Sequence, residues 1–513
     1  MTVTAVRAKW VLGYDTRAED HALIEDGVVV VDGGAVAAVG TDHDADVREA
    51  IRGDHETIDL GRSLVMPGLI DLDAVCDIDH ALIDSWQPAD LRAKLAWSAD
   101  WAQKHRRHTF SADERRLIRR YALTQLALHG VTTCMPIAAE THSDWAESYE
   151  DAVAMAEEAE AVGIRMYGGP SFRSGVNVID RDGLGRVHWE PQLGRAGLDD
   201  AIRFVEWAQK QPSDLIHGVL LPCRIETLTE ELLLDTVAAA RDLGTPFRLH
   251  ALQGMAERER TAEASGETPL RLLQRTKTLG PDMLLPHGIY LDDDPTVAAA
   301  DRAAGATPVE GDPLAVLADA GVTVVHCPLT SARYASALRS FDRYRAAGVR
   351  IALGTDSFPP DLIRGMDVGM LVAKVIEGRP DAATAEDYLR AGTLVPAESL
   401  DRSDLGRIVA GGAADLIAFR LDGPRAGVVD DPVRTLLMNG NARDLVMSMI
   451  NGRVVVRDGV LQGVDVESLT AAAQDLFQRM ADGYLQRSAW PVDRDSLFPP
   501  TFRRLGKDVA TDA

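Results

Sequence analysis

Cysteine is scarce in this chain. Only Cys76, Cys134, Cys223 and Cys327 occur, widely spaced and without a CxxC pair, which excludes a disulfide framework and points to a reducing, cytoplasmic setting. Basic residues are outnumbered as well: 54 Lys and Arg stand against 79 Asp and Glu, a formal net charge of −25. A nucleic-acid binder needs a basic stripe to release counterions, so the acidity reads as solubility and excludes a polyanion as the main partner. No stretch approaches the roughly 18 apolar residues that span a bilayer. The opening MTVTAVRAKWVLG lacks a basic region followed by an apolar run, so neither secretion nor membrane insertion is expected. What is present is 513 residues with 46% hydrophobic content, enough for one large core and a smaller satellite module.

The two ends of the chain read as β-rich. Residues 27–40 (GVVVVDGGAVAAVG) hold two apolar runs around an Asp32-Gly33-Gly34 turn, a strong hairpin signal. Short strands return at 414–419 (ADLIAF) and 446–456 (VMSMINGRVVV), the latter split by Asn451-Gly452. Between about 66 and 400 the pattern becomes short apolar strands alternating with helical periodicity, the signature of parallel βαβ units. The strands fall at 68–72, 130–135, 164–168, 218–221, 246–250, 284–287, 322–327 and 351–355, eight in all, the number a closed (β/α)8 barrel needs. The segment from about 464 begins as an amphipathic helix, VESLTAAAQDLFQRMADGYL.

In such a barrel the C-terminal ends of the strands converge on one mouth. His250 ends PFRLH, His287 ends LLPH, His326 follows VTVV and Asp356 ends IALGTD. Each alone reads as a satisfied structural residue. Together, at the same end of four strands, their ring nitrogens and carboxylate oxygens are expected to face one pocket.

The segments MPGLID (66–71), HGIYLDDD (287–294), HCPLTSA (326–332), ALGTDS (352–357), GAADLIAF (412–419) and MINGRVVVRDG (449–459) resemble the amidohydrolase superfamily. The likeness is nearest to its aminohydrolase branch of cytosine, guanine and S-adenosylhomocysteine deaminases and chlorotriazine hydrolases. It is collinear from about residue 5 to residue 463. It implies an α/β fold, a (β/α)8 TIM barrel at 66–400 with a small composite β-sandwich from 1–65 and 401–463, and leaves 464–513 as a helical extension. A homo-oligomer with a small-molecule substrate is implied by the same resemblance.

The family chemistry uses a divalent metal held by a His-x-His pair after the first strand, a His after the fifth and an Asp after the eighth. A Glu three residues beyond the fifth-strand His moves the proton, and a sixth-strand His helps orient the attacking water. Residue by residue, His250 matches the fifth-strand ligand, His287 the sixth-strand His and Asp356 the eighth-strand Asp. The first-strand pair is replaced by Asp73, which can still ligate through oxygen, and Val75, which offers no donor. Gln253 stands at the proton-shuttle position, and an amide exchanges no proton at neutral pH. Glu257, in the charged run 257–260, reads as a solvent-facing helix residue, with a replacement shuttle as the alternative. The fourth strand carries no lysine that could bridge two metals.

Arg224 follows that strand and reads either as a receptor for a substrate carboxylate or phosphate or as a surface ion pair with Glu226. Tyr290 and His326 are the other candidate substrate contacts. His80 reads as a loop residue, or as an imidazole folding back to the site.

Three readings stay open. One is a hydrolase of a non-peptide C–N bond with a zinc, iron or manganese ion on Asp73, His250 and Asp356, and His287 and Gln253 beside it. The second is metal-free acid–base chemistry by His287 and Asp356 in the same pocket. The third is a non-catalytic scaffold.

Overall fold

The computed structural model describes residues 3–74, 76–78, 81–137 and 143–502. Its central strands are β1 (Leu69–Ala74), β2 (Val131–Pro136), β3 (Arg165–Gly168), β4 (Ile216–Gly218), β5 (Phe247–Arg248), β6 (Met283–Pro286), β7 (Thr323–His326) and β8 (Arg350–Leu353). They pair in parallel as two four-stranded sheets, β4-β3-β2-β1 and β5-β6-β7-β8. The sheets meet at two seams. At one, the Leu220 N–H donates to Pro246 O at 3.4 Å and the Arg248 N–H to Leu220 O at 3.0 Å; at the other, the Asp356 N–H donates to Asp73 O at 2.7 Å. Ile70, Leu72, Met135, Tyr167, Leu284, Val325 and Ala352, drawn from six strands, pack in one buried cluster. Alternate residues of each strand face the helices instead, as the period of two requires.

Helices follow the strands and start on local signals. Ser111 and Glu114 form a capping box at Ala112–Leu128, and Ser148 with Asp151 does the same at Tyr149–Val162. The second helix stops where Gly163 takes a left-handed conformation. These caps fix where the two helices begin and where the second one ends.

The two β-rich ends of the chain form one nine-stranded sheet. It is joined where Ser63–Pro67 pairs antiparallel with Leu416–Arg420. The expected turns sit where the sequence places them: Asp32 pairs with Ala35 across Gly33-Gly34, and Ile450 with Arg453 across Asn451-Gly452. Gly452 has φ +75° and lies against the Gly33 carbonyl, where a side chain would collide. The two hairpin turns therefore touch, and only glycine permits it.

The C-terminal helix Val466–Arg487 buries Leu476, Met480, Ala481 and Tyr484 against Phe110, Ile118 and Leu497. Their helical spacing explains the amphipathic pattern. All four cysteines are buried and none is in a disulfide. Among the described residues, no helix is long and apolar enough to cross a membrane.

Candidate active site

Four side chains from four strand ends converge. One donor atom each of Asp73, His250, His287 and Asp356 lies within 4.8 Å of the others. Asp73 is the penultimate residue of β1 and fully buried, His250 follows β5, His287 is the residue after β6, and Asp356 follows β8. His287 has φ +72° and Asp356 φ +55°. Left-handed backbone outside glycine costs energy and persists where the surroundings hold it, a pattern common at functional sites. The strand ends turn sharply here, and the turns aim both side chains into the cluster.

The ring of His250 is fixed by its Nδ1, which lies 3.0 Å from the Cys223 carbonyl. That bond makes Nδ1 a donor and turns Nε2 toward Asp73 Oδ1, 3.3 Å away. His287 Nε2 is buried and has no hydrogen-bond partner, although buried polar atoms are nearly always paired; Asp73 Oδ1 makes no well-formed hydrogen bond and lies 3.3 Å from the charged Arg248 Nη1. Two imidazole nitrogens and two carboxylate oxygens form an acceptable set for zinc, iron or manganese. The 3.3 Å between Asp73 Oδ1 and His250 Nε2 is close to the edge of a ligand tetrahedron, about 3.4 Å for bonds of about 2.1 Å. The donor set and the unpaired His287 Nε2 fit one divalent ion.

Electrostatics keep the cluster poised. Burial, with lesser help from the charge of His250, pushes His287 down to about 3, so its imidazole is neutral at neutral pH. Asp73 lies well below the usual carboxylate range because His250 and Arg248 together outweigh its burial. Asp71, also on β1, accepts from the Thr355 N–H at 3.1 Å and hydroxyl at 2.7 Å, clamping β8 to β1 just before Asp356.

His326 does not join the cluster. Val325 packs in the interior, so the next residue of β7 must face the helices. There His326 Nε2 lies 3.3 Å from the Tyr388 hydroxyl, with Phe341 beside the ring. The expectation that it contacts substrate is corrected by strand parity. Burial pushes His326 down to about 3, against about 6.5 in an unfolded chain. As pH falls below about 6.5 the unfolded chain takes up a proton that the folded chain refuses until about 3, so stability is lost across that window. Denaturant titrations should show His326→Gln losing about 2 kcal/mol less than the wild type between pH 6.5 and 5. Equal losses would refute this.

Glu257 is another correction. It is buried rather than solvent-facing, and its carboxylate accepts the N–H groups of Leu252 at 2.6 Å and Gln253 at 2.8 Å. Burial, and the nearby Glu226, push it up to about 8. The loop after β5 presents backbone donors inward, and the helix Met255–Ser265 turns its first acidic residue back to meet them. Arg258 in the same run is buried on Asp292 and Asp301 and donates to the Tyr290 carbonyl at 2.8 Å. It thereby holds the backbone at Tyr290, the position read as a substrate contact. Arg224 is half-buried and donates to Gln253 Oε1, while Glu226 is buried and accepts from Asn177 at 2.9 Å. The surface pairing of Arg224 with Glu226 is therefore replaced by an Arg224–Gln253 contact. Val75 and His80 lie outside the described residues.

The sequence reading missed Arg248. It stands two residues before His250 and so shares its face of β5. Buried, it lies 3.3 Å from Asp73 Oδ1. An arginine within FRLH was the available signal.

The amidohydrolase family model matches residues 64–455. A 5-methylthioadenosine/S-adenosylhomocysteine deaminase of Halobacterium salinarum is 26% identical over 450 residues, covering 85% of this chain and 89% of that one. A 5'-deoxyadenosine deaminase of Methanosarcina mazei is 24% identical over 487 residues, 93% of this chain and 98% of that one. Among solved structures, an adenosine deaminase from Xanthomonas campestris with bound zinc superposes with a TM-score of 0.72 at 19% identity, covering 93% of this chain and 98% of that one. An atrazine chlorohydrolase from Arthrobacter aurescens complexed with zinc gives 0.71 at 22% identity, covering 92% and 99%. At these identities the structural likeness establishes the fold.

Proposed function

The chain belongs to the amidohydrolase family, and we propose that it hydrolyses a non-peptide C–N bond of a small cyclic amide or amidine, in the manner of a deaminase. The observation that carries this is the convergence of Asp73, His250, His287 and Asp356 within 4.8 Å, at strand ends where barrel enzymes place their chemistry. The names of the relatives, deaminases of 5'-deoxyadenosine and methylthioadenosine type, support the bond class.

In this reading the eight strands close into one (β/α)8 barrel over 66–400. Residues 1–65 and 401–463 form the composite β-sandwich, and 464–513 the helical extension. Asp73, His250 and Asp356 would hold one divalent ion, an atypical set in which a carboxylate stands for an imidazole. When bound, such an ion would lower the pKa of a water at the site and so supply the nucleophile. Asp356 orients the attacking water, takes its proton and returns it to the leaving nitrogen, which departs as ammonia or an amine. His287, neutral at working pH, hydrogen-bonds the substrate heteroatom that gains charge. Gln253 is held by Arg224 and by its own N–H on Glu257, so it serves as a fixed hydrogen-bond partner. Arg224 and Tyr290 line the substrate side. The buried cysteines, none of them in a disulfide, support a cytoplasmic enzyme, and a homo-oligomer is the family expectation.

The test is ammonia or amine release from a panel of adenosine-type nucleosides, nucleobases and triazines, with metal content measured on the same preparation. We expect turnover of at least one substrate, lost on chelation and restored by zinc or manganese. A metal-free protein with full activity would remove the metal from this reading, and a protein inert to the whole panel would remove the hydrolysis.

A further inference from the structure

Hydrolysis as proposed leaves one buried charge without a task. Arg248 is 2% exposed, and its guanidinium is pinned beneath the donor cluster. Nη1 donates to Met135 O at 2.7 Å and reaches Leu72 O at 3.4 Å, while Nη2 donates to Pro136 O at 2.8 Å. These carbonyls belong to β1 and to the end of β2, so the group cannot swing away without breaking three contacts. Nη1 also lies 3.3 Å from Asp73 Oδ1, the oxygen that stands 3.3 Å from His250 Nε2. A guanidinium does not deprotonate in a protein. The carboxylate that replaces a metal-binding imidazole on β1 therefore already faces a fixed positive charge. A divalent ion placed between Asp73, His250 and Asp356 would share that oxygen with Arg248 and be repelled by it.

We propose that Arg248 sets the metal affinity of this site: it serves as the counter-ion of Asp73 when no metal is bound, and it makes binding of a divalent ion weak and reversible. The inference rests on the donor set assigned above and not on turnover. It treats Arg248 as a positioning residue, acting on the ion through Asp73. It also accounts for the chemistry of the substitution on β1. A buried Asp at this place needs a partner in the metal-free state, whereas a buried His does not.

The experiment is zinc binding to the purified full chain, read by competition with a chromophoric chelator, for wild type, Arg248→Gln and Arg248→Lys. Glutamine keeps an N–H donor for the carbonyls of Met135 and Pro136 and removes the charge; lysine keeps the charge. We expect Arg248→Gln to bind one zinc per chain at least about tenfold more tightly than the wild type. Arg248→Lys should stay within about threefold of the wild type. Zinc should also raise the unfolding temperature of Arg248→Gln more than that of the wild type. The proposal is overturned if Arg248→Gln binds zinc no more tightly, if Arg248→Lys tightens as much as Arg248→Gln, or if no variant holds stoichiometric zinc. Should Arg248→Gln fail to fold, the wild type still decides: a wild-type chain that keeps its metal through dialysis against EDTA overturns the proposal, and one that loses it upholds it. Absence of turnover on every substrate would defeat the hydrolase reading and leave these titrations unaffected.

Discussion

Asp356→Asn is expected to lower kcat/KM by at least about a thousandfold, close to 4 kcal/mol of transition-state stabilisation, while the unfolding midpoint moves by no more than about 2 °C. The backbone explains why the two effects separate. Asp356 sits at φ +55°, a conformation that asparagine accepts almost as readily as aspartate and that most other residues resist. Its structural tie is its own N–H on the Asp73 carbonyl at 2.7 Å, which the substitution keeps. What disappears is a charged oxygen that can bind an ion or take a proton from water. The same reasoning selects His287→Asn, because His287 stands at φ +72°, and predicts a comparable loss. The double variant should fall little below the worse single one, since both act on one step. Steady-state kinetics on the best panel substrate, with thermal unfolding alongside, would check this. Wild-type rates in both variants would dismiss the strand-end cluster as the centre.

Much of this arrangement was legible because parallel strands that share one direction bring their ends together as neighbours. His250, His287 and Asp356 are far apart in the chain, yet each ends an apolar run, and strand ends meet. Asp73 was legible only as a departure from a pattern. His326 was misplaced because its run fixes where the strand ends without fixing which side its last residue faces. That parity is set by Val325 entering the interior, a tertiary choice. Glu257 was misread for a different reason. A charged run looks exposed to any periodicity argument, but two backbone N–H groups of the preceding loop give the buried carboxyl its partners and burial raises it to about 8. Arg248 escaped notice because what gives it meaning, Asp73 on the other parallel sheet, lies 175 positions earlier in the chain. The hairpins of the terminal segments were local and readable. Their union into one sheet depends on pairing between residues 63–67 and 416–420, which no local signal announces.

The largest expected loss of stability lies at the opposite end of the strands. Arg165 opens β3 and is fully buried, with Asp415 beside it at 4% exposure. Its guanidinium donates to Asp415 Oδ2 and pairs with Asp214 Oδ2 at 3.2 Å. Asp415 Oδ1 in turn accepts the Asn451 N–H at 2.8 Å. The pair thus ties the first residue of β3 to the nine-stranded sheet and to its Asn451-Gly452 turn. Arg165→Met keeps the apolar stem and leaves Asp415 as a buried carboxylate without its cation, a change that costs about 3–5 kcal/mol. Adding Asp415→Asn should recover much of that loss, because a neutral amide is cheaper to bury and its oxygen still accepts from Asn451. A denaturation cycle of the wild type, both single variants and the double variant would give the coupling. A value near zero would show that the pair adds nothing beyond the two separate sites. Since the donor cluster lies at the far ends of the strands, the folded fraction of Arg165→Met should keep its kcat. Asp356→Asn should lose activity at unchanged stability. Opposite signatures from the two ends of these strands would separate the residues that hold the fold from those that use it.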